Sequence, residues 1–400
     1  MINRKLLSAL FSLFIIFSGR ATILSDEAKI SLITIAPGED LYSSFGHSAF
    51  WIYDPKTGFD RIYNYGTFDF NEPNFYIKFI RGKLLYRLSI SEMGWLMEGA
   101  RKENRGVIEQ VLNLDPVSKD NLFKFLEFNY LPENRSYKYD FFFDNCSTRM
   151  RDALKKVYGD RLEFNLQVEE ERSFRQLLDP FLLDKQWQDM GMDIGLGTPA
   201  DRTAALYDYM YLPDFLMKGF ASAVIEQGRE KLPLVKATNV LFVAEKVSKD
   251  STSISPSLVF WIFFILVVLL TFYQYRKENR VFYFDWFLFS ITGLLGLLIL
   301  FLWFGTDHNV TRNNWNLIWA NPFNLVFAFL LIRKRKDKEV GKYFLLYGLL
   351  SLLLLLLWKV VPQELNFHTI PLILLLTVRA LFIFYCHRSK DRLSSRTIQR

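Results

Sequence analysis

The sequence predicts an exported α+β domain followed by an all-α membrane domain of about five spans. Residues 1–24 begin with two basic side chains, continue with the apolar run Leu6–Phe17 and end in small residues, as a secretory signal peptide or an N-terminal anchor does. Charged and apolar residues alternate irregularly over 25–248, which is typical of a folded aqueous domain. A polar linker at 249–257, with a proline and several serines, separates this domain from long apolar runs.

Five apolar runs in the last third of the chain approach the roughly 20 residues that a spanning helix needs. They lie at 258–274, 281–304, 317–332, 343–361 and 369–386, within a membrane domain of 258–387. Basic clusters follow the first, third and fifth runs, whereas the opposite connections carry little positive charge. We therefore expect a multi-pass protein of the inner membrane, with a cytoplasmic tail at 388–400 and the first domain in the periplasm.

The first strands of the aqueous domain are predicted from alternation and turn residues. Lys29–Ala36 alternates and is rich in β-branched residues, so it predicts a strand. Ala49–Tyr53 and Arg61–Tyr65 flank the turn-forming segment Asp54–Gly58 and predict a hairpin. Leu84–Ser89 is a further strand candidate.

Two helices are predicted in the same domain, and the second carries a cysteine at its start. Lys119–Asn129 is the first helix, and Ser147–Val157 is the second, because its apolar side chains form one stripe. Asp144 or Asn145 can cap the second helix, which places Cys146 at its N-terminus. Free N–H groups there stabilise a thiolate and can hold an oxyanion.

Cys146 and His47 are the only cysteine and the only histidine of the exported domain. A cysteine without a partner in an oxidising compartment needs a reason, and a nearby imidazole would complete a thiolate–imidazolium pair. A turn centred near Lys56 places Asn64 opposite Ala49, on the face that His47 shares. We therefore predict Cys146 as nucleophile, His47 as base and Asn64 as the group that orients the imidazole.

The sequence is also compatible with two alternatives to this triad. A register error of one residue would give the orienting role to Tyr63 or Tyr65. Cys146 and His47 could also be an ordinary buried cysteine and a turn histidine.

A second set of candidates lies close to the membrane. Asp307, His308 and Arg312, in the polar loop between spans two and three, are predicted to bind a lipid headgroup or to dock the catalytic domain, and Arg81 is predicted to meet a lipid phosphate. An interfacial loop anchored by tryptophans and an ordinary solvated arginine are the alternatives. We predict no metal and no cofactor, since the histidines are scattered, and no nucleic-acid partner, since the net charge of +7 reflects mainly the cytoplasmic bias.

The order of His before Cys resembles the circularly permuted NlpC/P60 branch of the papain-like superfamily. A closer resemblance, to the Lnb-type lipoprotein N-acyltransferases of Bacteroides-like bacteria, covers nearly the whole chain. It is carried by the segments Phe45–Phe50, Asn64–Phe70, Phe79–Leu84, Tyr139–Arg149 and Asp307–Pro322. The resemblance implies a papain-like periplasmic domain before the membrane helices, with His47 as base and Cys146 as nucleophile.

The same resemblance implies a reaction and its partners. A fatty acyl chain would pass from a phospholipid, through a thioester on Cys146, to the N-terminal amine of a lipidated lipoprotein, so that membrane lipids and lipoproteins are the expected partners. A periplasmic cysteine peptidase or amidase acting on peptidoglycan or peptides is the alternative. A non-catalytic envelope protein that keeps the fold is a third interpretation.

Overall fold

The structure is a computed structural model that describes residues 24–228, 230–245, 254–278, 281–333 and 338–398, with side chains described as far as Arg388. The predicted signal segment lies outside the described residues except for Leu24, and so does most of the predicted linker. What is described is an N-terminal α/β domain with antiparallel sheets, followed by a helical membrane domain.

The strands form two antiparallel sheets. The larger sheet has the order β10-β5-β1-β2-β3-β4-β6, and the smaller has the order β7-β8-β9. The strands are β1 (Lys29–Ile35), β2 (His47–Asp54), β3 (Phe59–Thr67), β4 (Leu85–Ser91), β5 (Val107–Leu112), β6 (Ser136–Lys138), β7 (Leu162–Glu163), β8 (Val224–Gln227), β9 (Glu230–Pro233) and β10 (Val235–Phe242). The predicted strand at Lys29–Ala36, the hairpin and the strand near Leu84–Ser89 are confirmed.

Helices connect these strands and cover the larger sheet. They are α1 (Phe75–Ile80), α2 (Met93–Lys102), α3 (Pro116–Tyr130), α4 (Cys146–Tyr158), α5 (Asp179–Leu182), α6 (Gln186–Gly195), α7 (Leu206–Tyr209) and α8 (Pro213–Ser222). Both predicted helices are present as α3 and α4. The stripe of α4 is buried at Met150 and Leu154, in a core shared with Phe50 of β2 and Leu216 of α8. Burial of this stripe fixes the helix, and with it Cys146, against the hairpin.

The membrane domain contains α9 (Pro256–Arg276), α10 (Tyr283–Phe304), α11 (Phe323–Ile332), α12 (Lys338–Leu356) and α13 (Ile370–Ile398). Within the described residues, five segments are long and apolar enough to span a membrane: these helices, with the third extended back to Trp315 and the fifth to Phe367. The fourth helix ends at Leu356, several residues before the end of the predicted apolar run.

A buried ion pair links three of these helices. Arg379, inside the last span, donates two hydrogen bonds of 2.6 Å to the carboxylate of Asp285 on α10. Its remaining nitrogen donates to Thr271 and Gln274 on α9. Both members of the ion pair are fully buried. Arg379 therefore binds neighbouring helices and does not reach a headgroup or the membrane surface.

A polar seam joins the N-terminal domain to the periplasmic ends of the helices. Arg175 is buried and donates to Asp193 at 2.6 Å and to Asp201 at 2.7 Å. The other carboxylate oxygen of Asp193 accepts a hydrogen bond of 2.8 Å from Asn366, which precedes the last span. Asn314, between the second and third spans, donates to the carbonyl group of Ile194 at 2.7 Å. We call this set of contacts the Arg175 seam.

We expect Arg379→Met to destabilise the membrane domain by about 3–5 kcal/mol, because it leaves the carboxylate of Asp285 buried without its partner. The double variant Arg379→Met with Asp285→Leu should recover most of that loss. Thermal unfolding of the full chain in detergent measures both changes. Lys342→Met, which breaks an exposed pair with Glu339, is the matched control. Equal stability of the single variant and the parent would show that the pair is dispensable.

Candidate active site

Cys146 is the first residue of α4, and Asn145 caps the helix. The Asn145 Oδ1 accepts hydrogen bonds from the backbone N–H of Ser147 at 2.8 Å and of Thr148 at 2.9 Å. The hydroxyl of Thr148 in turn accepts from the backbone N–H of Asn145 at 2.8 Å, which completes a capping box. The nucleophile candidate therefore lies at a rigid helix start, and only 7% of Cys146 is exposed.

The cap residue also fastens the helix start to the rest of the domain. The Asn145 Nδ2 donates to the carbonyl groups of Phe141 at 2.7 Å and Tyr211 at 2.9 Å. Asp144, the other predicted cap, pairs instead with Arg149, whose Nη2 lies 2.7 Å from its Oδ2.

His47 opens β2 and lies within hydrogen-bonding distance of Asn64 on β3. The two strands pair Phe50 with Tyr63, so the next pair places Asn64 opposite Ala49, as the turn predicted. The Nε2 of His47 lies 2.6 Å from the Oδ1 of Asn64. Because Nε2 donates to this acceptor, Nδ1 is the nitrogen that meets the thiol of Cys146. The hydroxyl of Tyr63 instead donates to Glu127.

The electrostatics of the site favour a thiolate–imidazolium pair. Burial, the largest single influence, raises the pKa of the Cys146 thiol, but the charge and hydrogen bond of His47 and the bonds from the Ser48 backbone N–H and the Ser147 hydroxyl together outweigh it. The net pKa of Cys146 therefore lies below its ordinary value. Burial lowers the pKa of His47, but the charge and hydrogen bond of Cys146, together with Asn64, raise it above its ordinary value.

Gly66 allows the strand to approach the nucleophile closely. It has a φ of +90°, a conformation that residues with a Cβ rarely adopt, and it lies at an irregularity in the pairing of β3 with β4. A Cβ added there would lie 3.7 Å from the Cβ of Cys146 and 3.6 Å from the ring of Tyr139. A glycine at the end of a predicted strand is a signal for such a bulge, and Gly66 directly follows the predicted strand Arg61–Tyr65.

A cavity of about 380 Å³ opens from the Cys146–His47 pair. Aromatic and aliphatic side chains from distant parts of the chain form most of its wall, among them Phe45, Phe68, Phe79, Leu84, Met192 and Leu212. His308, from the loop between the second and third spans, also lines it. The cavity thus connects the thiol to the membrane domain, and the sequence alone did not reveal its wall.

The predicted membrane-proximal residues fall in different places. The imidazole Nε2 of His308 lies 3.2 Å from the carbonyl oxygen of Phe79. Asp307 accepts a hydrogen bond of 2.9 Å from Lys138, and its backbone N–H donates to the carbonyl group of Arg81 at 3.0 Å. The side chain of Arg81 is exposed, and Arg312 is exposed outside the cavity wall.

Comparisons with known families agree with the two-part architecture. The profile described as the Lnb N-terminal periplasmic domain matches residues 20–180, and the profile described as the Lnb transmembrane domain matches residues 248–391. Together they cover more than half of the chain. The chain belongs to the Lnb family. This Lnb-family protein is accordingly a multi-pass membrane protein whose N-terminal part is periplasmic. No curated protein and no solved structure matches the chain significantly.

We expect iodoacetamide to alkylate Cys146 at pH values below about 8.5, the ordinary thiol pKa, because the pKa of Cys146 is lowered. The thiolate persists as pH falls until the lowered pKa of Cys146 is reached, and the rate declines below that point. His47→Ala should move the inflection above the ordinary value, since burial then acts without the compensating charge. Asn64→Ala should move it less far. Rates measured against pH in a Cys386→Ser background test this, and an inflection unaffected by His47→Ala would contradict the pairing.

Proposed function

We propose that this protein is a lipoprotein N-acyltransferase, which moves a fatty acyl chain from a phospholipid to the N-terminal amine of a lipidated lipoprotein. The observation that carries the proposal is the apolar cavity whose wall includes Cys146 and His47 as well as the membrane-domain residue His308. An acyl chain gains about 0.8 kcal/mol for each methylene group that it buries in such a wall. Membership of the Lnb family supports the same reaction class.

In the first half-reaction, the thiolate of Cys146 attacks the ester carbonyl carbon of the phospholipid. We assign the resulting oxyanion to the backbone N–H of Cys146 itself, because the next two amides of α4 already donate to Asn145. When the ester C–O bond breaks, the His47 imidazolium gives its Nδ1 proton to the departing lysophospholipid oxygen. The products are a thioester on Cys146, a lysophospholipid and neutral His47.

In the second half-reaction, the N-terminal amine of the lipoprotein attacks the thioester. Neutral His47 takes a proton from the attacking nitrogen, and the C–S bond breaks to give an amide. The thiolate of Cys146 and the imidazolium of His47 are thereby restored. Asn64 holds Nε2 of the imidazole throughout, so that the ring presents Nδ1 to each proton transfer.

The setting favours membrane-borne substrates over soluble peptides. A peptide-cleaving site needs polar groups that bind the backbone amides of its substrate, whereas this wall is mainly aromatic and aliphatic. Both proposed substrates carry acyl chains and reside in the membrane that holds the enzyme. We accordingly place the protein in the inner membrane, with its C-terminus in the cytoplasm, so that the cavity faces the periplasmic leaflet.

Mass spectrometry of the N-terminal peptide of one lipoprotein, from cells that depend on this chain, tests the proposal. The intact protein should yield a peptide with one amide-linked acyl chain. Cys146→Ala and His47→Ala should each abolish that chain, because one removes the nucleophile and the other removes the proton carrier.

The matched controls are Cys386→Ala and His387→Ala, which change the same residue types near the C-terminal end of the last span. Both variants should retain the modification. Loss of cleaved muropeptides, with an unchanged lipoprotein peptide, would instead favour the peptidase or amidase interpretation. A Cys146→Ala strain indistinguishable from the parent in both assays would favour a non-catalytic protein.

A further inference from the structure

The short helix α1 exposes an unusual amount of apolar surface. Tyr76, Ile77, Phe79 and Ile80 are 72%, 59%, 50% and 42% exposed, although α1 belongs to an otherwise well-packed domain. At 100° for each residue these side chains lie within an arc of about 160°, and the buried Phe75 borders that arc, where its ring stacks with that of Phe79. We call these four residues the apolar face of α1. A contiguous apolar surface of this kind marks an interaction site.

The position of α1 relative to the membrane follows from its contacts with the loop after α10. That span ends at Phe304, and Asp307, three residues later, donates its backbone N–H to the carbonyl group of Arg81 directly after α1. Three residues reach at most about 10 Å. The interfacial layer of a bilayer extends roughly 5–8 Å beyond the hydrocarbon core. The end of α1 is therefore held close to the level at which this span ends.

Close packing fixes this position. Gly82 has a φ of +65°, and a Cβ there would lie 3.2 Å from the ring of His308. The imidazole of His308 also lies 3.2 Å from the carbonyl oxygen of Phe79. Lys138 lies on β6, which pairs with β4, and its Nζ forms an ion pair with the Oδ2 of Asp307 at 2.9 Å. The loop and α1 thus form one surface at the periplasmic end of the bundle.

Charge around α1 fits an anionic lipid surface. Arg81 and Lys83 follow the apolar face directly, and both side chains are exposed. Helices that lie in the membrane interface combine an apolar face with basic side chains. The apolar side chains enter the acyl region, and the cations bind lipid phosphates.

We propose that the apolar face of α1 inserts into the periplasmic leaflet of the membrane that the spans cross, beside the mouth of the Cys146 cavity. Phe79 belongs to this face and also to the cavity wall, so a phospholipid chain that leaves the leaflet at α1 passes directly to the wall. The proposed insertion is inferred from the contacts and the exposed side chains of α1 alone. The supply of lipid to Cys146 rests in addition on the proposed function.

Spin labels on the full chain in bilayers of phosphatidylethanolamine and phosphatidylglycerol test the insertion. Labels are placed at Ile77→Cys and, as a control, at Asp160→Cys, in a background of Cys146→Ala and Cys386→Ala. Asp160 is fully exposed and lies just beyond the far end of α4. The label at position 77 should be relaxed more by oxygen than by a soluble nickel complex, and the label at position 160 should show the opposite. Equal behaviour of the two labels would overturn the proposal.

A second experiment tests the supply of lipid in the otherwise intact protein. The double variant Ile77→Ser with Ile80→Ser should slow formation of the Cys146 thioester from bilayer phospholipid about tenfold, while alkylation of Cys146 by iodoacetamide is unchanged. Trp95 on α2, beyond the far end of β4, is an apolar side chain that is 70% exposed, and Trp95→Ser should change neither rate.

The outcomes separate the two proposals. A double variant that forms thioester at the parental rate would overturn the supply role of α1. Absence of thioester in the parent would remove the proposed function, and the spin-label depths would then decide the insertion alone.

Discussion

The Arg175 seam is the interaction on which the rest of the structure depends. It places a buried guanidinium between Asp193 and Asp201, and Asp193 is shared with Asn366 of the membrane domain. Separating the two domains would break the hydrogen bond between Asp193 and Asn366. It would leave buried polar groups without partners, and the loss of a partner costs most free energy where a charge is buried. The seam therefore favours one docked arrangement. Because the cavity wall includes Met192 of α6 and His308 of the bundle, that arrangement also determines the shape of the cavity.

The site reconciles two opposed physical requirements. An acyl chain needs an apolar cavity wall that excludes water. Exclusion of water, however, raises the pKa of a thiol and lowers the pKa of an imidazole. At Cys146 and His47 burial is the largest single influence, and it opposes the ion pair in both residues. The charge and hydrogen bond that the two residues share, the Ser48 backbone N–H and the bond from His47 to Asn64 supply the compensation. Rigid local structure thus allows charge to exist beside an apolar cavity.

Local sequence rules predicted the hairpin, the helix start and the juxtaposition of His47 with Asn64, since each depends on residues close in the chain. A turn centred near Lys56 predicted the register to within one residue, and the structure has the register that pairs Phe50 with Tyr63. The cap was left open between two residues, and the structure assigns it to Asn145. The cavity wall and the Arg175 seam could not be predicted, because each joins segments that lie more than a hundred residues apart and meet only through tertiary packing. The permuted papain-like topology stays a prediction.

The cap of α4 restricts which residues evolution can place before the nucleophile. By capping preference alone, Asn, Asp and Ser are nearly interchangeable. Here Asn145 accepts two backbone hydrogen bonds through its oxygen and donates two through its nitrogen, to Phe141 and Tyr211. Aspartate would keep the acceptor but lose both donors, and it would add a negative charge next to the Cys146 thiolate. Deamidation of this one side chain would therefore weaken the anchoring of the helix start and oppose the thiolate at the same time, which makes position 145 sensitive to chemical ageing.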